Sequence, residues 1–488
     1  MFIRCLSGFL VFTFVSPSLA QTPGLMRGFN LQDRGSISFA AAGGENLASG
    51  YTRIQVISGS TLPVGMAILS NRQNGVLISE ESVPAMPLML SGRSYVEIGP
   101  STRTGVAIAN PNAQPVTVSF YFTDTSGNRT AQGSTIIGAN SQLAAFLDQS
   151  PFNSATSRGT FTFTASALVS AIAFETDLNE RNEPLMTTLP VIDLSAPPSG
   201  MQTVAHFVWA GDWLTNLILV NPTESSMSGT LKANAPTGET LGLAPASYTI
   251  PARSSAIISP SVVADPRVGS FDSRAWLSVI PAGAAAPSVT ALFVNHVPAG
   301  LFRSSQTFTM AAVPATAART AFRLFVQNKD PFASIGSTQA GIAIANPNAL
   351  MTSVALELFA EDGTSTGLKD FISIPPNGQA ALFINQVPGL SGLPSDFKGI
   401  LSLRSPVPVS VIGLFGTFNE RSDFVITPTF PIGETDIQQS SELLFPYFVS
   451  GRGFTTEFVL FSNRAVSIGT VYFFDQNGGV PNLTFNQD

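Results

Sequence analysis

Apolar and polar residues alternate with period two through much of the chain: Val116, Val118, Phe120 and Phe122; Phe161 and Phe163; Val354, Leu356 and Leu358; Leu401 and Leu403; Val409 and Val411. Such alternation turns one face of a strand toward a core and the other toward water. Turn clusters bound these short runs, as at Asp124-Thr-Ser-Gly127, Glu361-Asp362-Gly363 and Asp475-Gln-Asn-Gly478, and no segment sustains a helical period. The pattern predicts an all-β chain of antiparallel sheets packed face to face.

Two motifs recur. Gly105-Val-Ala-Ile-Ala-Asn110-Pro111-Asn112 returns as Gly341-Ile-Ala-Ile-Ala-Asn346-Pro347-Asn348, and in weaker form as Leu217-Ile-Leu-Val-Asn221-Pro222 and Phe458-Val-Leu-Phe-Ser-Asn463. Gly127, Gly238 and Gly363 stand 17 residues after the first three asparagines, with Gly478 and Gly479 slightly closer to the fourth, which marks a common hairpin. A second series starts strands at Gly50, Gly159, Ala275 and Gly399 and places turns at Asn71, Asn179, Asn295 and Asn419. First-motif asparagines are 111, 125 and 117 residues apart, a domain-sized period too long for a solenoid rung or a propeller blade. Asparagine bonding its own backbone, followed by proline ending the ladder, accounts for the Asn-Pro pairs.

The expected architecture is a tandem array of about four antiparallel, immunoglobulin-like β-sandwiches without the Cys-Trp-Cys core of antibody domains. The mature chain starts just before a second motif and ends shortly after a first one. That phase gives units 24–138, 139–249, 250–374 and 375–488, with the Pro-rich stretches Ser195–Gly200 and Val313–Ala317 as crossings between sheets. If those stretches are linkers instead, half units remain at both ends and must pair within a chain or head to tail between chains. Independent units would unfold in more than one step, and loss of the fourth would leave the first three folded.

Residues 1–20 read as a secretory signal: Arg4, the apolar Leu6 to Val15, and Ser18-Leu19-Ala20 before Gln21. The single cysteine, Cys5, falls inside it, so the mature chain has no disulfide and relies on ordinary cores. Only 11% of residues are charged, against a typical ~25%, and the net charge of −7 with no basic run disfavours nucleic acid. The four lysines begin at Lys232, so the strand edges of the first half lack their usual protection and are expected to be covered by a neighbouring unit, another chain or a surface partner.

The segments Thr104–Pro111, Asn419-Glu-Arg421, Phe424–Pro428, Leu444–Thr456 and Phe473–Gly478 resemble a family of uncharacterised exported repeat proteins of soil bacteria. Asn295-His296 departs from the family's Asn-Glu. The resemblance implies export, a sandwich fold and the repeat phase, and no catalytic residues.

Chemistry is sparse. No nucleophile elbow, S-x-x-K, H-E-x-x-H or P-loop occurs, and the two histidines, His206 and His296, sit in different motifs. Asp177, Asn179, Glu180, Asn182 and Glu183 form the richest oxygen cluster for calcium, but Arg181 interrupts the ligand spacing. Trp209, Asp212 and Trp213 combine aromatic faces with a carboxylate, as a sugar-binding face requires. The expected function is a non-enzymatic secreted or cell-surface adhesive or spacer module that needs no cofactor. Its partners would be surface proteins, polysaccharide or further copies of itself. The alternative is a secreted carbohydrate-binding protein, ahead of an outer-membrane barrel or a secreted hydrolase.

Overall fold

The longest strands show how alternation becomes a sandwich. Arg158–Leu178 pairs in its first half with Met89–Glu97 and Val116–Asp124, and in its second half with Arg103–Ala109 and Pro184–Leu189. It leaves one sheet and enters the facing one where its register shifts, between Thr164 and Val169. Asp396–Phe418 repeats the device with Ser405-Pro-Val-Pro408 at the crossing, where proline is tolerated because the backbone lies between ladders. The computed structural model describes residues 25–486 except 43, 210, 264–273, 298–306, 435–441 and 464; the segment expected to be a secretory signal lies outside these residues. Among the described residues the fold is all-β and antiparallel, without an α-helix, and no helix is long and apolar enough to cross a membrane.

Strand pairing groups the chain into four sets of facing sheets. Residues 89–193, 202–314 and 319–433 form the second, third and fourth sandwiches. The remaining sandwich is built from both ends of the chain. Leu25–Leu31 pairs with Ser467–Asp475, Ser36–Ala42 with Phe454–Phe461 and Thr484–Asn486, Ala48–Val56 with Glu442–Ser450, and Val64–Gln73 with Phe454–Phe461. Its core joins Phe29, Phe39 and Ile54 to Phe445, Phe448, Phe458 and Phe473.

The expected boundaries at 138, 249 and 374 therefore fall inside sandwiches. Arg129–Ile137 and Gln142–Phe146 both belong to the second, Ser247–Ile250 pairs within the third, and Ser365–Ile374 and Gln379–Phe383 both belong to the fourth. Hydrogen bonding decides the phase: the first-motif strand Arg103–Ala109 pairs with the second-motif strand that follows it, through Ser170–Thr176. Ser195–Gly200 and Val313–Ala317 lie where one sandwich passes to the next.

The four sandwiches close into a ring by repeated head-to-tail contacts, which end on themselves when the rotation closes. In each, the hairpin glycine seats on a loop of the next. A Cβ on Gly127 would meet Pro251 and Ala252, on Gly238 the Pro376 carbonyl, on Gly363 the Asp33 carbonyl, and on Gly478 the Ala139 carbonyl. All four have φ between 82° and 102°, so the residue that permits the turn also permits the close approach. Backbone bonds reinforce three of these joints: Gln379 N to Pro236 O (3.1 Å), Ser36 N to Glu361 O (2.8 Å) and Gln142 N to Gln476 O (3.1 Å). The cores are continuous as well. Ile218 and Val220 of the third sandwich join the second's core, Ala343 and Ile412 of the fourth join the third's, and Val459 and Phe461 of the closing sandwich join the fourth's. The expectation of four independent cores in file gives way to a ring of coupled ones.

First-motif asparagines hold the loops that make these joints. Asn346, fully buried, donates from Nδ2 to the carbonyls of Leu350 (2.8 Å), Ile374 (3.4 Å) and Pro375 (2.9 Å), while Oδ1 accepts from Asn348 N (3.1 Å). Asn110 and Asn221 repeat the set. Asn346→Ala strands several buried backbone groups and is expected to cost roughly 2–4 kcal/mol. Thermal unfolding checks this; an unchanged Tm would contradict the assigned role.

Candidate functional site

Four hairpin strands, one per sandwich, face the ring axis: Val76–Pro84, Pro184–Leu189, Thr307–Pro314 and Phe424–Thr429 each touch two of the others. Edges that the lysine-poor sequence leaves unprotected are covered here by neighbouring sandwiches. Glu81, wholly buried on Val76–Pro84, accepts from Thr187 Oγ1 (2.8 Å) and Ser82 N (2.9 Å) and lies 3.0 Å from Thr188 Oγ1. Thr188 has one hydroxyl hydrogen and two acceptors in reach, Glu81 Oε1 and the Ser82 carbonyl (3.0 Å). A proton on Glu81 satisfies both. Burial accordingly pushes its carboxyl up to about 8, against the opposing hydrogen bonds. Neighbouring Glu80, which accepts from Ser70 Oγ and Thr427 Oγ1, is raised by the same cause.

At one end of the axis the loops of opposite sandwiches interlock. Arg181 bonds Glu183 (3.0 Å) and, across the axis, Asp423 (2.7 Å); Arg421 reciprocates with Glu183 (2.7 Å) and Asp423 (3.4 Å). Burial opposes ionisation of Glu183, but bonds from Arg421, Asn179 and Arg181 bring its carboxyl down to about 2. Asn179 Oδ1 accepts from Arg181 N and Glu183 N, and Asn419 Oδ1 from Arg421 N and Asp423 N. Of the calcium candidates, Asn179 and Glu183 spend their oxygens on these bonds and Asp177 bonds Leu178 N. Glu180 is exposed, and Asn182 turns the chain at φ 58°. No acidic or histidine cluster able to hold a metal occurs among the described residues.

Between the third and fourth sandwiches lies an apolar cleft of about 570 Å³. Aromatic rings line it in a chain: Trp213 meets Phe424 (6.2 Å between centroids), Phe424 meets Phe418 (5.0 Å), Phe418 meets Phe332 (5.4 Å) and Phe332 meets Phe383 (5.2 Å). Phe332, 50% exposed, marks its mouth. Polar groups are few. His206 takes a bond at Nδ1 from Gln379 Nε2 (3.0 Å) and stacks on Phe293, Arg274 stands at the edge, and buried Asn295 has no partner for Oδ1 among the described residues. A mainly apolar cleft with a few convergent polar groups is the usual form of a small-ligand site.

No family model matches the chain. No curated protein matches it either. Among solved structures it is similar to a chain in the atomic structure of Sulfolobus turreted icosahedral virus, at 11% identity over 84% of this chain and 90% of that one, with a TM-score of 0.14. It is also similar to the infectious bursal disease virus VP2 subviral particle, at 10% identity over 82% of each chain, with a TM-score of 0.09. At these scores neither similarity bears on fold or function.

Of the sugar-site candidates, Trp213 lines the cleft, whereas Trp209 stacks on buried Phe207 (5.3 Å) and Asp212 uses its carbonyl to accept from His296 N (2.7 Å). Trp209 is not among the residues that line the cleft. The two histidines are on one sandwich but face different neighbours, His206 the fourth and His296 the second. Asn295 and Asn71 do not make turns: both lie within strands, Ser288–Val297 and Val64–Gln73, and the turn after Asn71 is Asn74-Gly75. Of the cleft's rings, sequence patterning offered Trp213 as a ligand candidate but not Phe332, Phe383 and Phe418, which are distant in the chain and meet only in the folded fourth sandwich.

Proposed function

We propose that the chain is an exported, non-enzymatic surface protein of four immunoglobulin-like sandwiches that adheres to its partner through the aromatic cleft between the third and fourth. The observation that carries this is the continuous line of rings from Trp213 to exposed Phe332, an apolar surface of the kind that marks interaction sites. The closed ring favours adhesion over spacing, since a spacer gains reach only from units in file. The signal segment at residues 1–20 supports export.

The test compares retention of residues 21–488 on phenyl-substituted agarose, crystalline cellulose and chitin. The wild type is expected to bind the phenyl matrix, and Phe332→Ser combined with Phe424→Ala to lose at least about tenfold in affinity. Equal retention of wild type and variant, or binding confined to the polysaccharides, would count against the cleft as the adhesive site.

A further inference from the structure

The joint between the second and third sandwiches holds a cleft of about 360 Å³ of a different character. Its floor is Glu175, 4% exposed, whose Oε2 has no hydrogen-bond partner among the described residues. Strand register shows how unusual this is. Thr104 pairs with Glu175 in the second sandwich; at the corresponding places Thr215 pairs with Phe293, Ala340 with Phe415 and Glu457 with Ile68. The first, third and fourth sandwiches fill the position with an apolar side chain, and the second places there a carboxyl with a bare oxygen. A local rule broken without compensation within the fold marks a functional position.

The surroundings define what would pair with it. From the second sandwich, Glu97, Arg158 and Asp177 face the cleft; from the third come His296, Asn216 and an apolar wall that includes Leu292, Phe308 and Met310. Arg158 is already bonded to Glu97, which also accepts from Tyr95 Oη, and Asp177 adds a second carboxylate. Charge at the floor is therefore negative in excess, and the opposite wall is apolar.

We propose that this cleft binds a small organic ammonium compound, its N–H groups bonding Glu175 and its hydrocarbon body lying against Leu292, Phe308 and Met310. Empty, the cleft keeps Glu175 protonated: burial, then Glu97 and Asp177, push the carboxyl up to about 8, with Arg158 opposing. Binding exchanges one cation for another, since the O–H bond of Glu175 breaks, its proton leaves to solvent, and the ammonium takes the carboxylate. Affinity then rises about tenfold per pH unit up to pH 8.

The probe is phenethylammonium, with phenethyl alcohol as its neutral counterpart, titrated calorimetrically into residues 21–488 at pH 6, 7 and 8. The amine is expected to bind more tightly at each step of pH and to release close to one proton, read from two buffers of different ionisation heat. Glu175→Gln should lower amine affinity at pH 8 at least about tenfold and abolish the pH dependence, while its Tm, measured alongside, is maintained. Equal affinity for amine and alcohol, amine binding unchanged by Glu175→Gln, or no amine binding at millimolar concentration would overturn the proposal.

Discussion

Deleting residues 442–488 is expected to unfold the N-terminal strands, not merely to shorten the molecule. The deletion removes Phe445, Phe448, Phe458 and Phe473 from the core shared with Phe29, Phe39 and Ile54. At roughly 1.5–3 kcal/mol for each large apolar side chain, those four contribute about 6–12 kcal/mol, comparable with the whole stability of a typical domain. It also strips Val459 and Phe461 from the fourth sandwich's core, so the damage spreads beyond one unit. Limited proteolysis should find residues 25–84 cleaved rapidly in the truncated chain and protected in the full one. Equal protection would mean that the N-terminal half folds without its partner.

Stability is expected to fall as pH rises from about 4.5 to 8. Glu81 and Glu175 are buried with folded-state values near 8, against an ordinary 4.5 when unfolded. A carboxyl raised in this way contributes fully below its unfolded value and loses its contribution as pH climbs through the folded one, because the folded state holds a proton that the unfolded state has released. Each group supplies a slope of roughly 1 kcal/mol per pH unit, so the two together amount to several kcal/mol over the interval. Glu183 acts the other way: held down at about 2, it supports the fold above the ordinary carboxyl range and is lost as pH falls toward 2. Maximal stability thus lies near pH 4–5. Calorimetry from pH 4.5 to 8.5 should show a falling Tm, and Glu81→Gln, which keeps a donor for Thr188 and cannot ionise, should roughly halve the slope. A Tm that is flat or rises over this range would exclude neutral acids at the axis.

Much of the fold was legible because its devices are local. Alternation marks strands, and Asn110, Asn221 and Asn346 announce their loops by side chains that bond backbone two to four residues away. Phase was not legible, for a physical reason: a repeat wrapped into a ring has no first unit, and the same period fits every cut. Strand pairing decides it, as where Leu25–Leu31 meets Ser467–Asp475 across the length of the chain. The turn asparagines failed where strands run on, as at Asn295, which the ladder to Trp213 and Thr309 keeps extended. Ile78-Ser-Glu-Glu-Ser-Val83 has the sequence of an exposed polar strand, and nothing local shows that two other sandwiches cover it. The acids at the axis, the aromatic cleft and Arg93, which is fully buried and bonds the Asn221 carbonyl of the next sandwich (2.9 Å), are products of contact between sandwiches.

Closure within one chain is tested most directly by a disulfide between the two ends. Asn30 and Ile468 are directly paired across antiparallel strands, at positions exposed and half-buried, and residues 21–488 contain no cysteine. Opposed residues in such a ladder lie about 4.5–5.5 Å apart between Cα atoms, within reach of a disulfide. Residues 21–488 carrying Asn30→Cys and Ile468→Cys, oxidised at low concentration and analysed by non-reducing electrophoresis and mass spectrometry, should form an intramolecular bond in a monomer. Free thiols, or disulfide-linked dimers and longer chains, would contradict a ring closed by its own ends.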